Sequence, residues 1–302
     1  MRADIRKFIA AYGKPGRPSE IRQEPLDGDP GHYARLLALE EGALPAVGDF
    51  GEYANDIAHM EKVQPELFAF LLPICLDVWR HDLMDNHRSD YAGWVEVFIS
   101  ALARRPLLKD CLTEARAEAV MAFMREGLLD RIDREDSLSH AGEHATAHAW
   151  FYRLGSFAVT FPALESLWRV WWRFETPDQA IAALQYVSCL MYDDNANPIF
   201  APRTAKHGGG PPGLWETDGQ IFHESWKLEN VVFFVDNVTP DYLRDALTRA
   251  AQALEGVVES DVPAQMISDF ERQRPLLAHR LRALPEIVSI PLNATLEWPP
   301  LP

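Results

Sequence analysis

The chain has no apolar run long enough to cross a bilayer. A spanning helix needs about 20 mainly apolar residues. The most apolar stretch, LFAFLLPICL, is far shorter and carries Pro73. The N-terminal MRADIRKFIAAYGK has only a brief apolar patch and no convincing cleavage site, which argues against a secretory signal. Cysteine is scarce. Cys75, Cys111 and Cys189 are odd in number, far apart and without a CxxC pair, so the expectation is reduced thiols in a cytoplasmic protein. Basic charge is also in deficit, with 29 Lys and Arg against 45 Asp and Glu and a formal net charge of -16. Phosphates need cations to replace their counterions, so nucleic acid and anionic membranes are disfavoured as partners. The same surplus favours attraction to a basic partner. No GxSxG elbow and no repeat of fixed period is present.

What is present is ordinary globular composition, 47% hydrophobic and 25% charged over 302 residues, enough for one or two domains and a large core. A short helix is predicted at Ala3–Tyr12, stopped by Gly13, and a Pro/Gly/Asp-rich arm follows from Lys14 to Gly31. Apolar residues then recur at spacings of three and four through most of the chain. Pro73 is expected to kink or divide its helix. Val120, Phe123, Met124, Leu128 and Ile132 form one stripe. Two later helices open with Thr-Pro-Asp. Thr176 and Thr239 can cap, Pro177 and Pro240 suit the first helical position, and Asp178 and Asp241 face the positive helix end.

Between those helices lies the strand signal. In GLWETDGQIFHESW, Asp218-Gly219 marks a type I′ hairpin that would pair Trp215 with Phe222, and VVFFV could add a third strand. The C-terminal part returns to helix, broken near Pro275, and ends in an extended WPPLP. The expected fold is a mainly α, bundle-like globule with a small antiparallel hairpin or three-stranded sheet near residues 214–235. Residues 1–200 would form a helical core with its arm. Residues 201–302 would pack a loop, the hairpin and the last helices on the same core.

Several stretches invite a chemical reading. SHAGEHATAHAW places His140, His144 and His148 four apart, with Glu143 beside the middle one. Either adjacent pair could chelate one zinc or manganese ion. All three cannot, because eight residues of helix rise about 12 Å and two nitrogens on one zinc lie about 3.3 Å apart. His140 to His144 resembles the HxxEH pattern of the inverted zinc peptidases, which would make Glu143 the water-activating base, but Gly142 weakens the helix and a third ligand is not evident. The favoured alternative is a solvated stripe, since polarity continues through Tyr152, Ser156 and Thr160. His81-Asp82 resembles the His-Asp pair of the HD-domain phosphohydrolases, a metal-dependent helical family. Here Trp79 and Arg80 precede the pair, where that family has an apolar turn.

Two further motifs fail on chemistry. Asp193, Asn195 and Asn197 match the first EF-hand ligands, but Pro198 replaces the required Gly and Thr204 the bidentate Glu, so an Asx turn is the better reading. Gly208, Gly210 and Gly213 satisfy GxGxxG, yet Pro211 and Pro212 delete amide donors that a phosphate would need. Trp168 and Trp172 could wall a small-molecule site, with Arg169 and Arg173 gripping an anion. Core packing and snorkelling are the simpler roles. The function expected is therefore an acidic interaction protein without a cofactor, of the immunity or inhibitor kind, binding a basic protein. The alternatives are a metal-dependent hydrolase built on these His, Asp and Glu residues, and a small-molecule binder at the Trp-rich helix.

Overall fold

The structure, a computed structural model, describes residues 3–28, 30–138, 146–192, 197–199, 226–257 and 261–289. The chain divides into two compact units, Met1–Leu128 and Leu129–Pro302. Thirteen helices and no strand occur among the described residues.

In the first unit, α1 (Ala3–Tyr12) ends as predicted at Gly13, whose φ of +75° is easy only for glycine and whose amide closes on the Ile9 carbonyl. The arm follows, then α2 (Gly31–Leu37), α3 (Val47–His59), α4 (Pro65–Met84), α5 (Ala92–Arg104), α6 (Leu107–Cys111) and most of α7 (Glu114–Ile132). Helix α4 stays helical through Pro73, so the expected division does not occur. Proline has no N–H, which leaves the Ala69 carbonyl without its helical donor. The buried Tyr12 hydroxyl donates to that oxygen at 2.9 Å. One side chain thus completes α4 and docks α1 on it. On α7 the predicted stripe is buried from Val120 to Ile132. Gly127 lies against the fully buried Trp79, and a Cβ there would stand 3.0 Å from the indole ring. The Gly127 carbonyl also accepts from Arg80 Nη1 at 2.7 Å.

The second unit contains α8 (Thr146–Ala158), α9 (Leu164–Trp171), α10 (Pro177–Met191), α11 (Leu228–Asn237), α12 (Pro240–Ala253) and α13 (Asp261–Ser289). Both Thr-Pro-Asp starts form as expected. Thr176 accepts from the Gln179 amide at 3.3 Å and Thr239 from the Tyr242 amide at 3.1 Å. Every residue of α10 from Gln179 to Met191 is buried, with α8, α12 and α13 packed on it. A buried helix end leaves carbonyls that water cannot reach. Arg280 of α13, itself buried, donates from Nη1 to the carbonyls of Cys189, Leu190 and Tyr192 at 2.8–3.1 Å. Its charge also suits the negative end of the helix. Helix α13 continues through Pro275, where a break was expected.

The expected sheet is corrected here. VVFFV is helical, forming the centre of α11. Its β-branched residues favour a strand locally, but the helical period puts Asn230, Val231, Phe234 and Val238 on one buried face. Phe234 meets the rings of Trp168 and Trp226 edge-on at 5.4 and 5.8 Å. Asn230 donates to the carbonyls of Ala158 and Phe161 and accepts from the Leu164 amide at 2.9 Å, tying α8 and α9 to α11. A strand would scatter these four residues over two faces. The Asp218-Gly219 hairpin and the WPPLP terminus lie outside the described residues.

Three substitutions test this account. Tyr12→Phe orphans the Ala69 carbonyl and should cost about 1–2 kcal/mol. Tyr186→Phe should be neutral or stabilising, because the buried Tyr186 hydroxyl has no hydrogen-bond partner among the described residues. Equal losses in denaturant titrations would refute the distinction. Gly127→Ala should destabilise by about 1–2 kcal/mol, as overpacking against Trp79 outweighs the helix-propensity gain. A higher unfolding midpoint for this variant would show that Trp79 can move aside.

Candidate functional site

An open cleft of about 240 Å³ lies in the first unit. One wall is a stripe of α4. Phe70, Pro73, Ile74 and Asp77 follow the three-and-four spacing of one helical face, and all four line the cleft. Phe70 and Ile74 are half-buried, whereas most apolar residues on the other faces of α4 are buried. The facing wall comes from Ile5 and Ile9 of α1 and from Leu36 and Leu39 at the end of α2. Glu40 and Glu41, both exposed, edge the cleft in the turn after α2, and Lys14 edges it from the arm. Among the described residues two exposed carboxylates and one ammonium thus edge the apolar walls, while Asp77 is buried.

A buried polar hub holds the arm in place. Asp56 of α3 accepts from the Leu26 amide at 2.9 Å and from the Tyr33 hydroxyl at 2.6 Å, and pairs with His32 Nε2 at 2.9 Å. His32 Nδ1 faces Glu52 at 3.3 Å. Gln23 Nε2 donates to the Tyr33 hydroxyl at 2.8 Å. Gln64 binds the arm three times, through Glu20, Arg22 and Gln23, at 2.8–2.9 Å. His32, Tyr33 and Asp56 are sealed from solvent, so this His–Asp pair positions the chain and reaches no substrate. Sequence reading missed it because its members are dispersed from Glu20 to Gln64. The cleft had a faint signal: α4 is apolar all round, and such a helix must be buried on every side or leave an apolar wall open.

Those residues singled out from sequence that are described do not converge. His81 sits half-buried in the last turn of α4, with its ring edge-on to Tyr91 at 6.1 Å. Asp82 is fully buried. Its Oδ1 accepts from Ser89 Oγ at 2.6 Å, and its Oδ2 pairs with His87 Nδ1 at 2.7 Å. Asn86 and His87 take positive φ of 57° and 59° to bring the chain back beneath it. Asp82 is therefore the anchor of a helix-ending loop. His140, Glu143 and His144, with the side chain of His148, lie outside the described residues, as do Asp193, Asn195, Gly208, Gly210 and Gly213. Asn197 accepts from the Ile199 amide at 2.9 Å, which is an Asx turn. Among the described residues no three His, Cys, Asp or Glu side chains gather in a way that could hold a metal ion.

Trp168 and Trp172 are buried in an aromatic layer of the second unit. They stack at 4.4 Å, Trp150 stacks on Trp171 at 4.8 Å, and Trp168 Nε1 donates to the Tyr242 hydroxyl at 3.0 Å. Arg169 and Arg173 point outward and pair with Glu165 and Glu175 instead of forming an anion clamp. Charged groups beside this layer include Glu135, Arg131 and Arg153. Arg153 lies over the Trp150 ring at 4.8 Å and is in contact with Glu135, which Arg131 also reaches at 3.2 Å. Gln185 of α10 donates to Glu135 Oε2 at 3.3 Å. Burial alone would push the Glu135 carboxyl up, but Arg153 and Arg131 outweigh it and hold the group below its ordinary value. Burial, helped by Arg153, lowers Arg131 to about 10. At the start of α10, burial raises the Asp178 carboxyl, and Asp133, Asp136 and Glu135 raise it further.

Family models, curated proteins and solved structures return no match to this chain. Among the described residues no helix is long and apolar enough to cross a membrane.

The Glu135 cluster makes the fold acid-sensitive with a defined sign. Its depressed carboxyl contributes fully above the ordinary carboxylate value and is lost as pH falls through the folded value. Asp178 works oppositely, its repulsion being relieved on acidification. Glu135→Gln should cost about 3–5 kcal/mol near neutrality by removing the carboxylate charge from beside the buried Arg153. It should also flatten the acid-side fall of the thermal midpoint. Parallel pH profiles for the variant and the parent would refute the assignment.

Proposed function

We propose that the protein is a non-catalytic interaction protein of the cytoplasm that holds a basic protein partner, as an immunity or inhibitor protein does. The observation that carries this reading is the cleft of the first unit, with apolar walls and an edge on which the exposed Glu40 and Glu41 stand with Lys14. Apolar walls supply affinity, and an unbalanced acidic edge selects for cations and steers them at long range. The formal net charge of -16 acts in the same direction. The engagement of both Asp82 oxygens at the end of α4, and the burial of Trp168 and Trp172 in a core, support this reading. The three cysteines are free thiols, in keeping with a reducing compartment.

The test uses the full chain immobilised beside a Glu40→Lys/Glu41→Lys variant. A basic partner from the native host should be retained at low ionic strength and released as salt rises, because exposed charges are screened over about 8–10 Å. The variant should retain it about tenfold less well, equivalent to about 1.4 kcal/mol. Retention that ignores both salt and charge reversal would count against a basic partner.

A further inference from the structure

We infer that the cleft of the first unit binds a free hydrophobic α-amino acid, of leucine to phenylalanine size, through its side chain and both of its backbone charges. This goes beyond the interaction reading and shares only the cleft with it. The first support is charge placement. Glu40 and Glu41 stand at the mouth on the turn after α2, Lys14 stands there on the arm, and all three are exposed. Charges of both signs thus edge one opening, yet none of the three makes an ion pair among the described residues. Exposed opposite charges elsewhere in the unit do meet, as Lys7 meets Glu126 at 3.0 Å and Arg22 meets Glu66 at 3.5 Å. A cationic ligand would leave Lys14 opposing it, and an anionic one would leave two glutamates opposing it. A molecule with an ammonium and a carboxylate on one carbon can turn each to its counter-charge. Only a free amino acid has both there, because a peptide bond removes one of them.

The second support is the apolar space beneath that mouth. Ile9, Leu36, Phe70 and Ile74 wall the cleft, whose volume is about 240 Å³. An apolar cavity of about 150 Å³ takes up benzene. A benzyl or isobutyl side chain therefore fits between the walls while the charged head stays at the mouth. Asp77 is buried in the wall and engaged within the protein, and takes no part. The third support is that the frame is preformed, which spares the ordering cost of binding. The Tyr12–Ala69 hydrogen bond fixes α1 on α4. A tight turn places the glutamates: the Ala43 amide donates to the Glu40 carbonyl at 3.0 Å, and Gly42 takes a φ of +85° at the third turn position. Lys14 is set by the Gly13 stop at the end of α1.

The probe is L-phenylalanine, titrated into the full chain by calorimetry and by ligand-observed saturation-transfer NMR. Each of three analogues lacks one feature: phenylethylamine the carboxylate, phenylpropionate the ammonium, and L-serine the apolar side chain. L-Phenylalanine should bind saturably, and L-serine at least about tenfold more weakly. Each single-charge analogue should bind about threefold to fivefold more weakly, the worth of one exposed ion pair. Lys14→Gln should no longer prefer L-phenylalanine over phenylethylamine, because the partner of the missing carboxylate is gone. Glu40→Gln/Glu41→Gln should likewise lose the preference over phenylpropionate. These positions are exposed, so far-UV dichroism and the thermal midpoint should match the parent. Absence of saturable L-phenylalanine binding up to about 10 mM overturns the inference. Equal binding of L-serine does so too, as does either variant keeping the parent's preference, since the charges at the mouth would then not read the ligand. Capture of a basic partner is measured separately, so either reading can fail alone.

Discussion

The second unit depends on one constraint: α10 is buried from Gln179 to Met191, so its end groups and its glutamine side chains must be answered from within the protein. Arg280 answers the last carbonyls, and Thr176 answers an amide at the start. Gln179 reaches Asp133 at 2.9 Å, and Gln185 reaches Glu135 and the Ser137 carbonyl. Each contact fixes another segment. Arg280 sets the register of α13, while Gln185 with Glu135 places Arg153 over Trp150. An unanswered buried donor or acceptor costs about 1–3 kcal/mol, comparable to a large part of a domain's net stability. The aromatic layer fills the space that these polar contacts define.

The first unit solves a related problem with a different device. Pro73 removes a donor from a buried helix, and Tyr12 restores one from another helix. Asp56 collects the arm, α2 and α3 around a single carboxylate. Among the described residues these contacts leave one stripe of α4 as the wall of a cleft. The cleft is thus a consequence of how the polar groups were satisfied, and its acidic edge comes from the turn after α2.

Local signals in the sequence were legible where a short segment decides the outcome alone. The Thr-Pro-Asp starts, the Gly13 stop and the α7 stripe all depend on neighbours within a turn or two. VVFFV shows the opposite case. Its local preference was for a strand, and tertiary contacts of Asn230 and Phe234 overrode it. The candidate sites were less legible still. His81-Asp82 reads as a metal pair until Ser89 and His87 are seen to occupy both Asp82 oxygens. Arg169 and Arg173 read as an anion clamp until each is seen beside its own glutamate. The hub around Asp56 gave no motif, since its members are spread over more than forty residues.

The sequence by itself determined the helical class, the acidity, and the helix ends that proline, glycine and threonine specify. These follow from backbone stereochemistry and from charge, which need no distant partner. Only the tertiary structure decided which carboxylates are anchors and which border an open cleft, which tryptophans are core, and how helices survive their internal prolines. Those outcomes turn on whether residues far apart in the chain supply a donor, an acceptor or a packed surface. Spacing along one segment does not encode that.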